Sequence, residues 1–242
     1  MKAAILAGLI LCGCGGNIVP DWSPPPTKLN CYTNNVWLNS SDGLIVNPNI
    51  HLVFWGDWWR LSAQGQDESA QLSQAWTIIG NDPKFYSPLA EYGIGKGAML
   101  GTYFTNDKIP LGALTGSYIT QELQSEITNN VLPTPDSNSI YVVMFPGGTY
   151  SEYDQANSFS ATHWTYGPIV YATVEFDSNI DNSNENISHE LYEAATDSNF
   201  GYNGGAGETE IGDYCETTVY TLDGYVIQTL WSEANCRCVP EN

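Results

Sequence analysis

The chain predicts a single α+β domain: a mixed sheet with packed helices and a C-terminal hairpin. Three observations carry that prediction. Strand-like and helix-like stretches run in the order β-α-α-β-α-β-β-α-β-β without an internal repeat, a mixture that suits helices packed on a sheet. Hydrophobic residues make up 42% and aromatics 12% of 242 residues, enough to fill one sizeable core and to exclude a disordered chain. Asp223-Gly224 separates two β-rich runs, a strong hairpin signal.

An export segment precedes the domain. "MKAAILAGLILCGCGG" has one lysine, a short apolar run and then small residues. The run is too short for a permanent membrane helix, so residues 1–13 read as a signal peptide. Leu11-Cys12-Gly13-Cys14 resembles a bacterial lipobox, which implies cleavage before Cys14 and lipid on its thiol. A plain signal peptide cut nearby is the alternative. Residues 14–28 then form a lipidated tether, held extended by Pro24, Pro25 and Pro26. The domain is expected over 29–242, lipid-anchored in the cell envelope on the extracytoplasmic side of the membrane.

Charge and cysteines agree with that placement. Twenty-seven acids face seven bases, a formal net charge of −20. Such a field repels nucleic acid, which argues against it as a partner, and attracts cations. Solubility outside the cell is the plain reading of this acidity, and divalent-cation binding is the functional one. Beyond Cys12 and Cys14 four cysteines remain: Cys31, Cys215, Cys236 and Cys238. An even count in an exported chain suggests two disulfides. Cys236 and Cys238 are too close for an easy mutual bridge, so one is expected to pair with Cys215 and the other with Cys31. A cysteine zinc site is disfavoured, because no CxxC spacing is present.

The elements follow in order. "NIHLVFWGDWW" (49–59) reads as a buried strand behind Asn-Pro. "SAQGQDESAQLSQAWTIIGN" spaces Leu72, Trp76 and Ile79 as one helix face and stops at Gly80-Asn81. "SPLAEYG" suits a short helix with Ser87 as cap, Pro88 first and Gly93 as stop. "AMLGTYFTND" is a second strand. "TGSYITQELQSEITNNVL" places Ile119, Leu123 and Ile127 four apart on a helix face. "SIYVVMFPGG" and "GPIVYATVEF" are two more strands. Trp55, Trp58 and Trp59 read as core rather than as a sugar platform. No convincing phosphate loop or serine nucleophile elbow is found.

The chemistry-bearing stretch is "NISHELYEAATDSN" (186–199). It holds His189, one of three histidines in the chain. His189 and Glu193 are four apart and share a helix face, so both can reach one cation. Glu190 lies between them, placed to touch a bound water without ligating. This is the logic of the HExxH metalloprotease helix, with a carboxylate as second ligand. Zinc accepts carboxylate oxygens, although the exchange weakens the acidity of a bound water and moves selectivity toward harder ions. A third ligand is needed. Asp213, in "ETEIGDYCE" with Glu210 and Glu216, is one candidate, and His163 in "THWTYG" is the other. The competing reading is an ordinary helix start, capped by Ser188 or Asn186, with acids in its first turns. That explains Glu190 fully and Glu193 in part, but not the histidine. A calcium loop in "DSNIDNSNEN" (177–186) is weaker: Asp177, Asn179 and Asp181 match its first positions, but Asn182 replaces the glycine and Ser188 the bidentate acid.

Several ordered blocks resemble the phosphate-induced, exordium-like family of secreted proteins, which has plant and bacterial members. "IHLVFWGDWW" is similar to its opening strand. "THWTYG" resembles a segment built around Gly-x-His-x-Tyr, with Thr162 in place of the glycine. "ISHELYEAATDSN" resembles a His-Glu-x-x-Glu-x-x-Thr-Asn/Asp-Pro block, with Ser198 in place of the proline. "EIGDYCE" is similar to Glu-Ile-Ala/Gly-Asp-x-Cys, and "GYVIQTLWS" to the closing strand. The blocks span about residues 49–232. Carried over position by position, the family's polar signature is His163, His189, Glu190, Glu193, Glu210, Asp213 and Cys215. The resemblance implies an exported or cell-envelope protein and supplies no reaction.

The expectation is therefore a zincin-like domain acting as a metal-dependent, peptidase-like hydrolase on an extracellular protein or cell-wall substrate. His189 and Glu193 would be ligands, Asp213 or His163 would complete the site, and Glu190 would be the catalytic base. Zinc is the first candidate ion and calcium the second. The alternative is a non-catalytic cell-surface binding or adhesion module.

Overall fold

The computed structural model describes residues 36–38, 43–105, 111–198, 202–204 and 210–240. The segments expected to be a signal peptide and tether, with Cys14 and Cys31, lie outside them. In chain order the elements are β1 (Val36–Leu38), β2 (Asn49–Phe54), α1 (Trp58–Leu61), α2 (Ala63–Ile79) and α3 (Pro83–Tyr86). A 3-10 turn (Ser87–Tyr92) leads to β3 (Ala98–Phe104), β4 (Gly112–Leu114), α4 (Gly116–Thr128), β5 (Ser139–Phe145), β6 (Thr149–Ser151) and α5 (Glu152–Asn157). Then come β7 (Ala161–Tyr166), β8 (Ile169–Glu175), α6 (Ile180–Asp197), β9 (Tyr202–Gly204), β10 (Val219–Leu222), β11 (Tyr225–Gln228), β12 (Leu230–Ser232) and β13 (Arg237–Val239).

Five strands form one mixed sheet in the order β3-β2-β5-β8-β7. The first four are parallel, and β7 runs antiparallel at the edge. Every residue of β5 is buried, as a central parallel strand requires, because both sheet faces are covered. Alternation assigns the faces. Ile140, Val142 and Met144 meet Leu52, Phe54, Trp76, Leu191 and Tyr192 in the larger core, beneath α2 and α6. Tyr141, Val143 and Phe145 meet Ile119 and Leu123 of α4 in the smaller one. Trp55 and Trp59 are buried as expected, and Trp58 packs against the larger core.

The α+β class, the mixed sheet and the hairpin are as predicted. Asp223 and Gly224, both at positive φ, turn β10 into β11. Four local details differ. The aromatic run from 49 stops being a strand at Phe54, and Trp58 opens a helix. "SPLAEY" is a short 3-10 helix stopped by Gly93 as expected, but Ser87 is its first residue rather than its cap, because a helix over Pro83–Tyr86, capped by Asp82 accepting from the Lys84 N–H, runs directly into it. Residues 161–166 form a strand of their own. The helix carrying His189 begins at Ile180, with Asn179 as cap, so neither Ser188 nor Asn186 caps it.

That last difference disposes of the calcium loop. Asp177 accepts from the Asn179 N–H and from Asn182 Nδ2, while Asn179 accepts from the Asp181 and Asn182 N–H groups. These side chains close the N-terminus of α6, and the residues that follow are helical rather than looped.

Candidate metal centre

α6 lies between the sheet and the hairpin, in contact with β7, β8 and β11. Its apolar residues Ile187, Leu191, Tyr192, Ala194 and Ala195 enter the larger core. Ser188 ties it to the hairpin by accepting from the Gln228 N–H. Between these anchors, His189, Glu190 and Glu193 face a cleft of about 620 Å³. Glu190 and Glu193 are only 3% exposed, a costly position for two carboxylates unless something positive meets them.

Two other segments bring partners. On β7, Ala161, His163 and Thr165 share the face that meets α6, and His163 pairs across the ladder with buried Ala172. Thr165 Oγ1 donates to the Ser198 carbonyl, closing β7 onto the end of α6. The turn at 210–215 supplies Glu210 and Asp213. Ile211 is buried in the core, its carbonyl accepts from the Trp231 N–H, and Cys215 is bonded to Cys238 of β13. A Cβ on Gly212 would sit 2.6 Å from Glu193 Oε1, so this glycine lets the turn reach the helix.

Donors held about 2.1 Å from a tetrahedral ion lie roughly 3.4 Å apart. His189 Nε2 is 3.1 Å from Glu193 Oε1 and 3.7 Å from Asp213 Oδ1. His163 Nδ1 is 3.6 Å from Glu193 Oε2 and 3.8 Å from Glu210 Oε2. Glu190 stands between the imidazoles: Oε2 is 3.2 Å from His163 Nδ1 and Oε1 is 4.0 Å from His189 Nε2. Six of the seven signature residues thus converge, His163 and Asp213 included, while the seventh, Cys215, is spent on its disulfide. Glu216 stays at the exposed rim of the cleft. Two sets, His163–Glu193–Glu210 and His189–Glu190–Glu193, have donor atoms close enough together to hold a metal ion.

The electrostatics are those of a crowded, buried acid cluster. Burial disfavours the His189 imidazolium, but Glu193 and Glu190 outweigh it and hold its pKa well above the imidazole range. His163 is raised by Glu190, Glu193 and Asp197, again against burial. Burial would raise Glu193, yet His189 and a hydrogen bond from Glu210 hold it low. Glu210 carries the complementary shift, raised by burial and by the charge of Glu193, so the two carboxyls share one proton. Burial also raises Glu190; Asp213, whose side chain stays 43% exposed, is raised by partial desolvation and the charge of Glu193.

One functional residue has no signal in the sequence. Gln228 Nε2 donates to the Gly212 carbonyl at 2.8 Å, which turns its Oε1 toward His189 Nδ1 at 3.0 Å. An amide oxygen only accepts, so Nδ1 carries a proton in either charge state, and Nε2 is the nitrogen left to meet the carboxylates when protonated or a cation when not. Of the expected bridges, Cys215 pairs with Cys238. Cys236 is disulfide-bonded as well. No helix among the described residues is long and apolar enough to cross a membrane. No protein-family model matches this chain, and no curated protein shows detectable similarity to it.

Proposed function

We propose that this chain is an exported, lipid-anchored, exordium-like protein whose zincin-like domain is a metal-dependent hydrolase, peptidase-like in its chemistry. The observation that carries the reading is His189 Nε2 lying 3.1 Å from Glu193 Oε1 and 3.7 Å from Asp213 Oδ1, with Glu190 beside it and the donor atoms of His189, Glu190 and Glu193 close enough together for one ion. One imidazole and two carboxylates are a donor set zinc accepts. Calcium fits less well, since it takes six to eight oxygen ligands and two imidazoles point into this cleft.

A cation bound there would supply Lewis acidity, easing ionisation of a water and polarising a carbonyl. Glu190 does the proton work. Standing between the two imidazoles, it takes the proton of the attacking water and returns it to the leaving amine. Its burial-raised pKa suits a group that must both accept and give near neutral pH. Gln228 keeps His189 in the ligating tautomer. β7 serves the substrate. It is the edge strand of the sheet, and the consecutive residues Ser160 to Trp164 line the cleft, so an extended peptide can add along it.

Two substitutions test the reading. His189→Ala removes a ligand, and metal content should collapse while the fold persists. Glu190→Gln keeps shape and metal, and hydrolysis of a mixed peptide library should fall by at least about 100-fold. A purified domain that holds no stoichiometric metal even after reloading removes the hydrolase and leaves the non-catalytic surface module.

A further inference from the structure

The three-donor set at His189 leaves half of the cluster unused. His163 Nδ1, Glu193 Oε2 and Glu210 Oε2 form a second set with the same spacing, 3.6 and 3.8 Å from the imidazole nitrogen. The two sets share one residue, Glu193, and divide it by atom: Oε1 faces His189 and Oε2 faces His163. Glu193 Oε1 is fully buried and without a hydrogen-bond partner, on a residue only 3% exposed. It lies 3.1 Å from His189 Nε2 at ion-pair distance, not in the alignment of a hydrogen bond. A buried carboxylate oxygen with only an off-line imidazole beside it has acceptor capacity that a cation would fill.

We propose that the cleft holds two divalent cations bridged by Glu193, one on His189 and Asp213, the other on His163 and Glu210. The proposal rests on the metal-centre reading above and extends it. Charge supports more than one ion. Once deprotonated, Glu190, Glu193, Glu210 and Asp213 bring four negative charges to two neutral imidazoles, and Asp177, Glu185 and Glu216 line the same cleft, so a single divalent ion leaves much of the charge uncompensated. Position supports it too. Paired catalytic ions stand about 3.5–4 Å apart, a distance the two oxygens of one bridging carboxylate span. Each ion then has one imidazole, one oxygen of Glu193 and one terminal carboxylate, and a coordination position stays open for water. Glu190, between the imidazoles, faces both.

The test is stoichiometry, measured on the full mature chain with zinc or manganese alone. After metal removal and reloading, two equivalents per chain are expected by elemental analysis. Manganese-loaded protein should show the electron paramagnetic spectrum of an exchange-coupled pair, a readout that needs no variant. His163→Ala and Glu210→Gln should each reduce the count to one, and Asp213→Asn should loosen the other ion. One equivalent in the unaltered chain, with an uncoupled manganese signal, overturns the pair and leaves the single-ion hydrolase standing. No metal at all overturns both. Two equivalents unaffected by His163→Ala place the second ion elsewhere and overturn the assignment.

Discussion

A histidine offers a metal only one of its two nitrogens, and the group that holds the other nitrogen chooses which. At His189 that group is Gln228, itself oriented by the Gly212 carbonyl. Gln228 is 2% exposed, and its own N–H is spent on Ser188, so its side chain has little room to answer any other way. Gln228→Leu, close in size, removes the acceptor for Nδ1–H and frees the ring to change tautomer. Metal affinity should fall by about 10–100-fold, the usual scale for an outer partner of a ligating histidine. Competition against a chromophoric chelator measures this. An unchanged constant in a folded variant would mean that Gln228 does not set the His189 tautomer. The sequence could not show this residue. An amide in a hairpin strand is indistinguishable from a solvated one until the helix it faces is known. The His189, Glu190 and Glu193 triplet was legible because helix periodicity alone brings its members together.

At the scale of elements, the site depends on holding the turn at 210–215, with its 3-10 segment Asp213–Cys215, against α6. Ile211 in the core, its carbonyl bond to Trp231 and the Cys215–Cys238 bridge do this. The cysteines are 23 residues apart, so loop-closure entropy alone gives a stabilisation of roughly 3 kcal/mol. The double variant Cys215→Ser, Cys238→Ser should lower the melting temperature accordingly in calorimetry. It should also weaken metal binding, because Asp213 and Glu210 lose their fixed approach. A loss of stability with unchanged affinity would separate the bridge from the site. The same scale shows where sequence reading stopped. β2, β5 and β8 were legible as apolar runs, since central strands are buried on both faces, and β3, a half-buried edge strand, was legible by its apolar and aromatic residues. β7 was not, because "ATHWTY" is an edge strand whose polar positions front the cleft. The start of α6 was missed for a related reason. "DSNIDNSNEN" is rich in residues that prefer caps and turns, and here Asp177 and Asn179 close the N-terminus while the residues from Ile180 onward enter the helix. That helix face and that edge meeting at Glu210 is a fact of tertiary packing, with no local pattern to announce it.

For the whole molecule, the acid cluster makes stability depend on protons in the metal-free protein and on metal when it is bound, with opposite signs. Free imidazole titrates near its ordinary 6.5, whereas His189 and His163 are raised in the folded protein. Glu210 is raised as well. Above pH 6.5 the metal-free folded state therefore holds protons that the unfolded state has lost, and stability must fall as pH rises. The contribution of these groups is fully present below their unfolded values and is lost as pH climbs through the folded ones. Glu193 has the reverse sense: its stabilisation is present above 4.5 and fades as acid is added, so it is silent in the window above 6.5. Metal changes the sign, because it binds only deprotonated ligands and displaces those same protons. Free metal at 100 times its dissociation constant adds about 2.7 kcal/mol, and that constant itself tightens as pH rises. Melting temperatures with and without chelator should thus diverge between about pH 6 and pH 8, the chelated protein falling while the loaded one holds or gains. Parallel curves would mean that cations and these protons do not compete, and that any metal sits away from His189, Glu193 and Glu210.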